Sequence, residues 1–176
     1  MKLLNFPSFK QTCEYDCGSK VAEAVLDYYG IDIKERAIMK LAGTNCKGTS
    51  VEGILSILRQ NGLDCKYEKM GISEVKKFID LGVPVIMIVQ AWTVKKKVDW
   101  EKDWSDGHYV IAIGYDDNKI YFEDPYVILR TFLSFDELNE RWHFLDGPNG
   151  NHHSCMGIAV FGPQKAYTPK KAIHMD

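Results

Sequence analysis

Three side chains in this sequence have types and settings suited to covalent chemistry on a carbonyl: Cys17, His108 and Asp124. A thiol attacks a carbonyl only as thiolate, and a free cysteine with a pKa of about 8.5 supplies little of it at neutral pH. A helix N-terminus favours negative charge, so a cysteine in the first helical turn has local help. Cys17 follows the polar run Gln11 to Asp16 and precedes an apolar stripe of Val21, Ala24, Val25, Tyr28 and Tyr29. A cysteine kept only for packing is expected inside such a stripe, not ahead of it. Small neighbours, Gly18 and Ser19, would let a substrate backbone approach closely.

Gln11 lies on a loop that can fold back until its amide meets the Cys17 backbone N–H, giving two donors for a developing oxyanion. On its own a loop glutamine is more often merely solvated. His108 opens an apolar strand, HYVIAI, and its plain alternative is a strand-edge histidine. Parity connects it to Asp124. With a loop of Asp116, Asp117 and Asn118, Tyr115 pairs Lys119 and Val110 pairs Asp124, so His108 and Asp124 share a face. That diagonal is roughly 7–8 Å, within reach of an imidazole and a carboxylate leaning together. A two-residue turn would put them on opposite faces, so the pairing depends on a bulged turn.

The elements that must position these residues are legible in the periodicity. Helical spacing predicts a helix over 17–29 stopped by Gly30, a second in roughly 34–42, and a third in GTSVEGILSILRQNG with Thr49 and Glu52 as a capping box. A short fourth helix runs from Ser73 to Gly82. The period then changes: VPVIMIVQ at 83–90 reads as a strand, and HYVIAIGY with KIYFED as a hairpin. Ser134 and Glu137 cap a further helix, ELNERWHFL, ahead of a Gly, Asn and His loop, a last strand around Met156 to Phe161, and a frayed tail after Pro163. Helices before strands predict an α+β fold, with the Cys17 helix and the hairpin on opposite sides of a cleft.

Composition narrows the function classes. The chain has 176 residues, with 22 basic against 24 acidic side chains, so it carries no polyanion footprint and nucleic acid is excluded as an expected partner. The length suits one domain, with a helical lobe to about 82, a sheet lobe over 83–163 and the tail. The N-terminal apolar run is short and broken by Pro7, and no run reaches the roughly 18 residues of a membrane span, so an intracellular, cytoplasmic protein is expected. Five cysteines at irregular spacing argue against a secreted disulfide framework. Cys13, four residues before Cys17, leaves a regulatory disulfide open. His143, His152, His153 and Cys155 are zinc-type ligands without zinc-type spacing, and neither a metal nor a cofactor is expected.

Together, QTCEYDCGSKVAEAVLDYYGI, GTSVEGILSILRQNGL and DGHYVIAIGYDDNKIYFEDP resemble the bacteriocin-processing peptidases, papain-like cysteine peptidases that cut after double-glycine leaders and often form the N-terminal domain of peptide-exporting transporters. The resemblance covers about residues 8–127. It implies a papain-like fold, Cys17 as nucleophile, His108 as base, Asp124 as its orienting acid, Gln11 in the oxyanion hole and a peptide or protein as substrate. The chain departs from that pattern in carrying no transporter and in a Trp-rich segment, AWTVKKKVDWEKDWSDG. There Trp92, Trp100 and Trp104 would form either a substrate-binding wall or a solvated loop anchored by its aromatics. Two further readings use the same residues: a catalytically retired peptide-binding domain, and transglutaminase-like or amidase acyl transfer through the same thioester.

Overall fold

The computed structural model describes residues 1–146 and 150–163, so the tail expected to fray lies outside the described residues. In chain order the elements are β1 (Lys2–Leu3), α1 (Cys17–Tyr28), α2 (Glu35–Leu41), α3 (Val51–Gln60), β2 (Asp64–Lys69), α4 (Ile72–Asp80), β3 (Val85–Gln90), β4 (Gly107–Tyr115), β5 (Lys119–Glu123), β6 (Thr131–Ser134), α5 (Phe135–Arg141), β7 (His143–Asp146), β8 (Asn151–Ser154) and β9 (Met156–Phe161). Six strands form an antiparallel sheet in the order β2-β9-β3-β4-β5-β6, and β1 joins it against the end of β4. A separate ribbon pairs β7 with β8.

Strand alternation gives the sheet two apolar faces, and the helices divide between them. Ile86 and Ile88 of β3 and Tyr109, Ile111 and Ile113 of β4 meet Val21, Val25, Ile54, Ile57 and Leu58 of α1 and α3. The alternate residues Val85, Met87, Val89, Val110, Ala112 and Phe122 meet Val75 and Ile79 of α4, and Leu138 of α5. Burying one such aliphatic chain contributes roughly 1.5–3 kcal/mol, so the apolar stripe of α1 clamps the start of that helix against the sheet. The fold is thus α+β as expected, though less segregated along the chain. β2 lies within the helical half yet completes the sheet, and α4 covers the face opposite α1.

Helix ends follow the local chemistry with two corrections. The Ser134 and Glu137 capping box is present, and Gly30 adopts φ 77° to end α1. The cap of α3, however, is Ser50, whose side chain accepts from Gly53 N–H at 3.1 Å. Thr49 instead bonds the Thr44 hydroxyl at 2.8 Å and lends its carbonyl to the Tyr109 hydroxyl at 3.0 Å. α5 stops at Arg141, so His143 stands on β7 rather than on a helix.

The hairpin register also differs near its turn. Tyr115 pairs Ile120, not Lys119, and a bulge between Ala112 and Gly114 then shifts the ladder so that Ala112 pairs Phe122 and Ile111 pairs Glu123. Beyond the bulge the ladder is in the expected register. The extra residue is absorbed inside β4, and His108 and Asp124 stay on one face.

Candidate active site

α1 begins at Cys17 because the residue before it is committed elsewhere. Asp16 is completely buried, and its Oδ2 accepts from Thr12 N–H at 2.9 Å, the Thr12 hydroxyl at 2.7 Å and Cys13 N–H at 3.2 Å. The carboxylate therefore turns back into the preceding loop and makes no cap on α1. First-turn N–H groups of a helix left without a side-chain cap form a natural anion-binding site. Cys17 is partly buried there as a free thiol.

Gly18 turns out to serve packing. A Cβ on it would lie 2.7 Å from Thr49 Cβ and 3.2 Å from the Tyr109 ring, so the space expected for a substrate backbone is already filled. Ser19 is likewise buried, its hydroxyl on the Asp16 carbonyl at 2.9 Å.

His108 sits near the start of β4, only 7% exposed, and donates Nε2 to Asp124 Oδ1 at 2.7 Å. With Nε2 engaged, the opposite ring nitrogen is the one left for the hydrogen bond with the Cys17 side chain. Burial alone would push the imidazole down, but the hydrogen bonds to Asp124 and Cys17 and their charges outweigh it and hold His108 up at about 9. The protonated ring is the favoured state at neutral pH. Asp124 shows the converse balance: burial raises its carboxyl, while His108, Tyr126 N–H and Trp92 lower it further and leave it below the usual range. Its Oδ1 also accepts from Tyr126 N–H at 2.9 Å, and its Oδ2 from Trp92 Nε1–H at 3.0 Å and the Thr131 hydroxyl at 3.2 Å.

Gln11 is held close by. Its backbone N–H donates to the Pro125 carbonyl at 2.7 Å, and its Nε2 donates to the Cys13 carbonyl at 2.9 Å. The amide is thereby pinned on the loop that leads into Cys17, bonded to that loop's own backbone and not turned to the Cys17 N–H.

A cleft of about 460 Å³ opens beside Cys17, walled by Thr49, Ile88, Trp104, Tyr109 and Phe144. The Trp-rich segment is tied down at several points, although Val94 within it is fully exposed. Lys95 pairs with Asp103 and, at 3.0 Å, with Asp106, while Ala91 N–H closes the loop base on the Asp106 carbonyl at 3.0 Å. Its three tryptophans separate. Trp104 reaches the cleft, its ring 4.2 Å from each of the His143 and His152 rings. Trp100 lies over the Arg141 guanidinium at 4.1 Å, and Trp92 turns to Asp124. His153 stacks on Phe144. Among the described residues no group of three or more His, Cys, Asp or Glu side chains is placed to hold a metal ion.

Asp16, Tyr126 and Thr131 were not singled out by sequence reasoning. Only Asp16 carried a signal, its place directly before the thiol; the other two act through backbone and hydroxyl groups that leave no pattern.

A thiol at a helix start, a buried imidazole and a carboxylate just past the neighbouring strand form an arrangement able to carry thiol chemistry on a carbonyl. The model of the peptidase C39 family matches residues 5–145, and the chain belongs to that family of cysteine-type peptidases. Among individual proteins, it is 28% identical over 115 residues to the lactococcin-G-processing and transport ATP-binding protein LagD of Lactococcus lactis, which spans 65% of this chain and 15% of that one. Two solved structures share the fold. A C39-like peptidase from Bacillus anthracis superposes with TM-score 0.70 at 15% identity, covering 94% of this chain and 100% of that one. A double glycine motif protease from an AMS/PCAT transporter, in complex with the leader peptide, gives TM-score 0.65 at 16% identity, covering 91% and 97%. Among the described residues no helix is long and apolar enough to cross a membrane.

Proposed function

We propose that this chain, as a single papain-like domain, cuts a peptide after a Gly-Gly leader sequence, with Cys17 as nucleophile, His108 as base and acid, Asp124 as orienting carboxylate and Gln11 as oxyanion donor. The observation that carries the reading is the buried His108 ring, bonded through Nε2 to Asp124 at 2.7 Å and held in its charged form by Asp124 and Cys17.

In this scheme the Cys17 sulfur attacks the scissile carbonyl carbon as thiolate. The oxygen that gains charge is met by the Gln11 amide, turned from the Cys13 carbonyl, and by the uncapped N–H groups at the start of α1. His108 gives its proton to the leaving amine, and the thioester remains. Water, deprotonated by the now neutral ring, then releases the acid and restores the thiol. Asp124 keeps Nε2 as the donor nitrogen throughout.

The Gly-Gly specificity rests on likeness to LagD and to the leader-bound double glycine protease. The apolar wall of Trp104 and Phe144 is the surface offered for the upstream part of such a peptide. In this reading the peptidase works in a reducing cytoplasmic setting, where thiols stay reduced. Exposure to a Gly-Gly peptide carrying a thiol-directed electrophile, followed by intact-mass measurement and site mapping, tests the reading. A single adduct on Cys17 is expected; modification of Cys13 or Cys46 with Cys17 untouched would overturn it.

A further inference from the structure

Trp92 stands just past β3 with φ 57°, a left-handed conformation that a bulky side chain adopts only when its surroundings hold it there. Its side chain is 44% exposed, so burial is not what holds it. What does is the site. The indole Nε1–H donates to Asp124 Oδ2 at 3.0 Å, and the ring stacks on Tyr126 at 4.6 Å with 30° between planes, while the Tyr126 N–H donates to the same carboxylate.

The two oxygens of Asp124 are thus divided: Oδ1 serves His108 and Tyr126, Oδ2 serves Trp92 and Thr131. The donors at Oδ2 are not equivalent. A threonine hydroxyl can donate or accept, whereas an indole N–H can only donate, so Trp92 alone dictates that this edge of the group be an acceptor. From this division we infer that Trp92 is a positioning residue, which fixes the Asp124 carboxylate so that Oδ1 faces His108 Nε2 and the other ring nitrogen is kept for Cys17. The inference rests on the proposed triad and adds to it a fourth member, drawn from the segment that the family resemblance left unassigned.

An amide at position 124 exposes the role. In Asp124→Asn the amide oxygen must face His108 to keep the productive tautomer, which turns the NH₂ group against the Trp92 N–H, donor to donor. Flipping the amide relieves that clash but sets NH₂ against both the Tyr126 N–H and His108 Nε2, a second donor-to-donor contact that also imposes the wrong tautomer. Trp92→Phe keeps an aromatic ring over Tyr126 and removes the donor.

The experiment measures the rate of Cys17 alkylation by iodoacetamide near neutral pH, mapped by peptide mass, in the native protein, both single variants and the double variant, with a thermal melt of each. In the native background Trp92→Phe is expected to slow alkylation about tenfold, the scale of one hydrogen bond to a charged group. In the Asp124→Asn background the same substitution is expected to speed it. A slowing in both backgrounds, or no effect in either, makes Trp92 a packing residue and overturns the inference. An Asp124→Asn variant that alkylates like the native protein overturns the triad itself, a result distinct from the other two.

Discussion

Gln11 donates its backbone N–H to the carbonyl of Pro125, the residue after Asp124, at 2.7 Å. That one bond joins the loop leading into Cys17 to the segment just past β5 that carries Asp124. Neighbouring bonds reinforce it: Phe9 N–H reaches Glu123 Oε1 at 3.3 Å, and Arg130 Nη2 reaches the Phe6 carbonyl at 2.6 Å. The segment before α1 is therefore tied to the end of β5 and the residues after it by one main-chain bond and two bonds to side chains.

Cys17→Ala is expected to abolish peptide cleavage while leaving the melting temperature nearly unchanged, since the loss of one partly buried sulfur removes little packing. Cleavage followed by mass spectrometry, beside a thermal melt, checks both halves. Turnover comparable to the native protein would contradict the assignment.

Removing the Gln11 amide should act on the transition state. Gln11→Ala is expected to lower kcat on the order of 10²–10³ with a smaller change in KM, because the donor meets charge that appears only during reaction. Steady-state kinetics on a Gly-Gly peptide distinguish this from a ground-state contact, which would move KM alone.

The His108 interactions predict a direction with pH. Its pKa is raised in the folded chain to about 9 from a usual 6.5. A raised folded value means that the folded state holds the proton more tightly, so its stabilising share is complete below about 6.5 and is lost as pH climbs through about 9. Urea midpoints of the native protein and of His108→Asn, compared at pH values either side of that window, should converge at the alkaline end. A gap that widens with pH would reverse the sign.

Gly18→Ala tests the close approach of α1 to Thr49 and Tyr109. With the new Cβ 2.7 Å from Thr49 Cβ, something in the tightly packed contact must move. A destabilisation of roughly 1–3 kcal/mol is expected from overpacking of this kind, read as a lowered denaturant midpoint. Since the shift falls beside Cys17, cleavage should drop as well; an unchanged midpoint would show the contact to be slack.

Trp104 and Trp100 should behave differently. A Gly-Gly peptide with an upstream amphipathic helix is expected to be cut far faster than a short one, and Trp104→Ala should erode that advantage because its ring walls the cleft. Trp100→Ala, which removes a ring from Arg141, should leave more of it intact. Competition assays with the two peptides measure the ratio directly, and equal loss in both variants would mean that the segment acts as one unit.

Much of this protein was readable before any coordinate. Apolar spacing alone located α1, α3 and the β4–β5 hairpin, because a helix or strand must put its apolar residues on one side at a fixed local period. Parity along two strands put His108 and Asp124 on one face only given an extra residue, which the structure takes up inside β4 and not at the turn, and the types and settings of Gln11, Cys17, His108 and Asp124 pointed to thiol chemistry. Sequence could not show that β2, whose residues DCKYEK are mostly polar, would complete the sheet beside β9, since the pairing depends on where a distant strand lies. It could not choose Ser50 over Thr49 as a cap, because Thr49 is claimed by Thr44 and Tyr109 from other parts of the chain. Nor could it show a buried Asp16 bent back on its own loop. Tertiary structure alone turned Trp92 toward Asp124 and Trp104 toward the cleft: a hydrogen bond and a ring stack reach only a few ångströms, and which groups come that close is settled by how the whole chain returns upon itself.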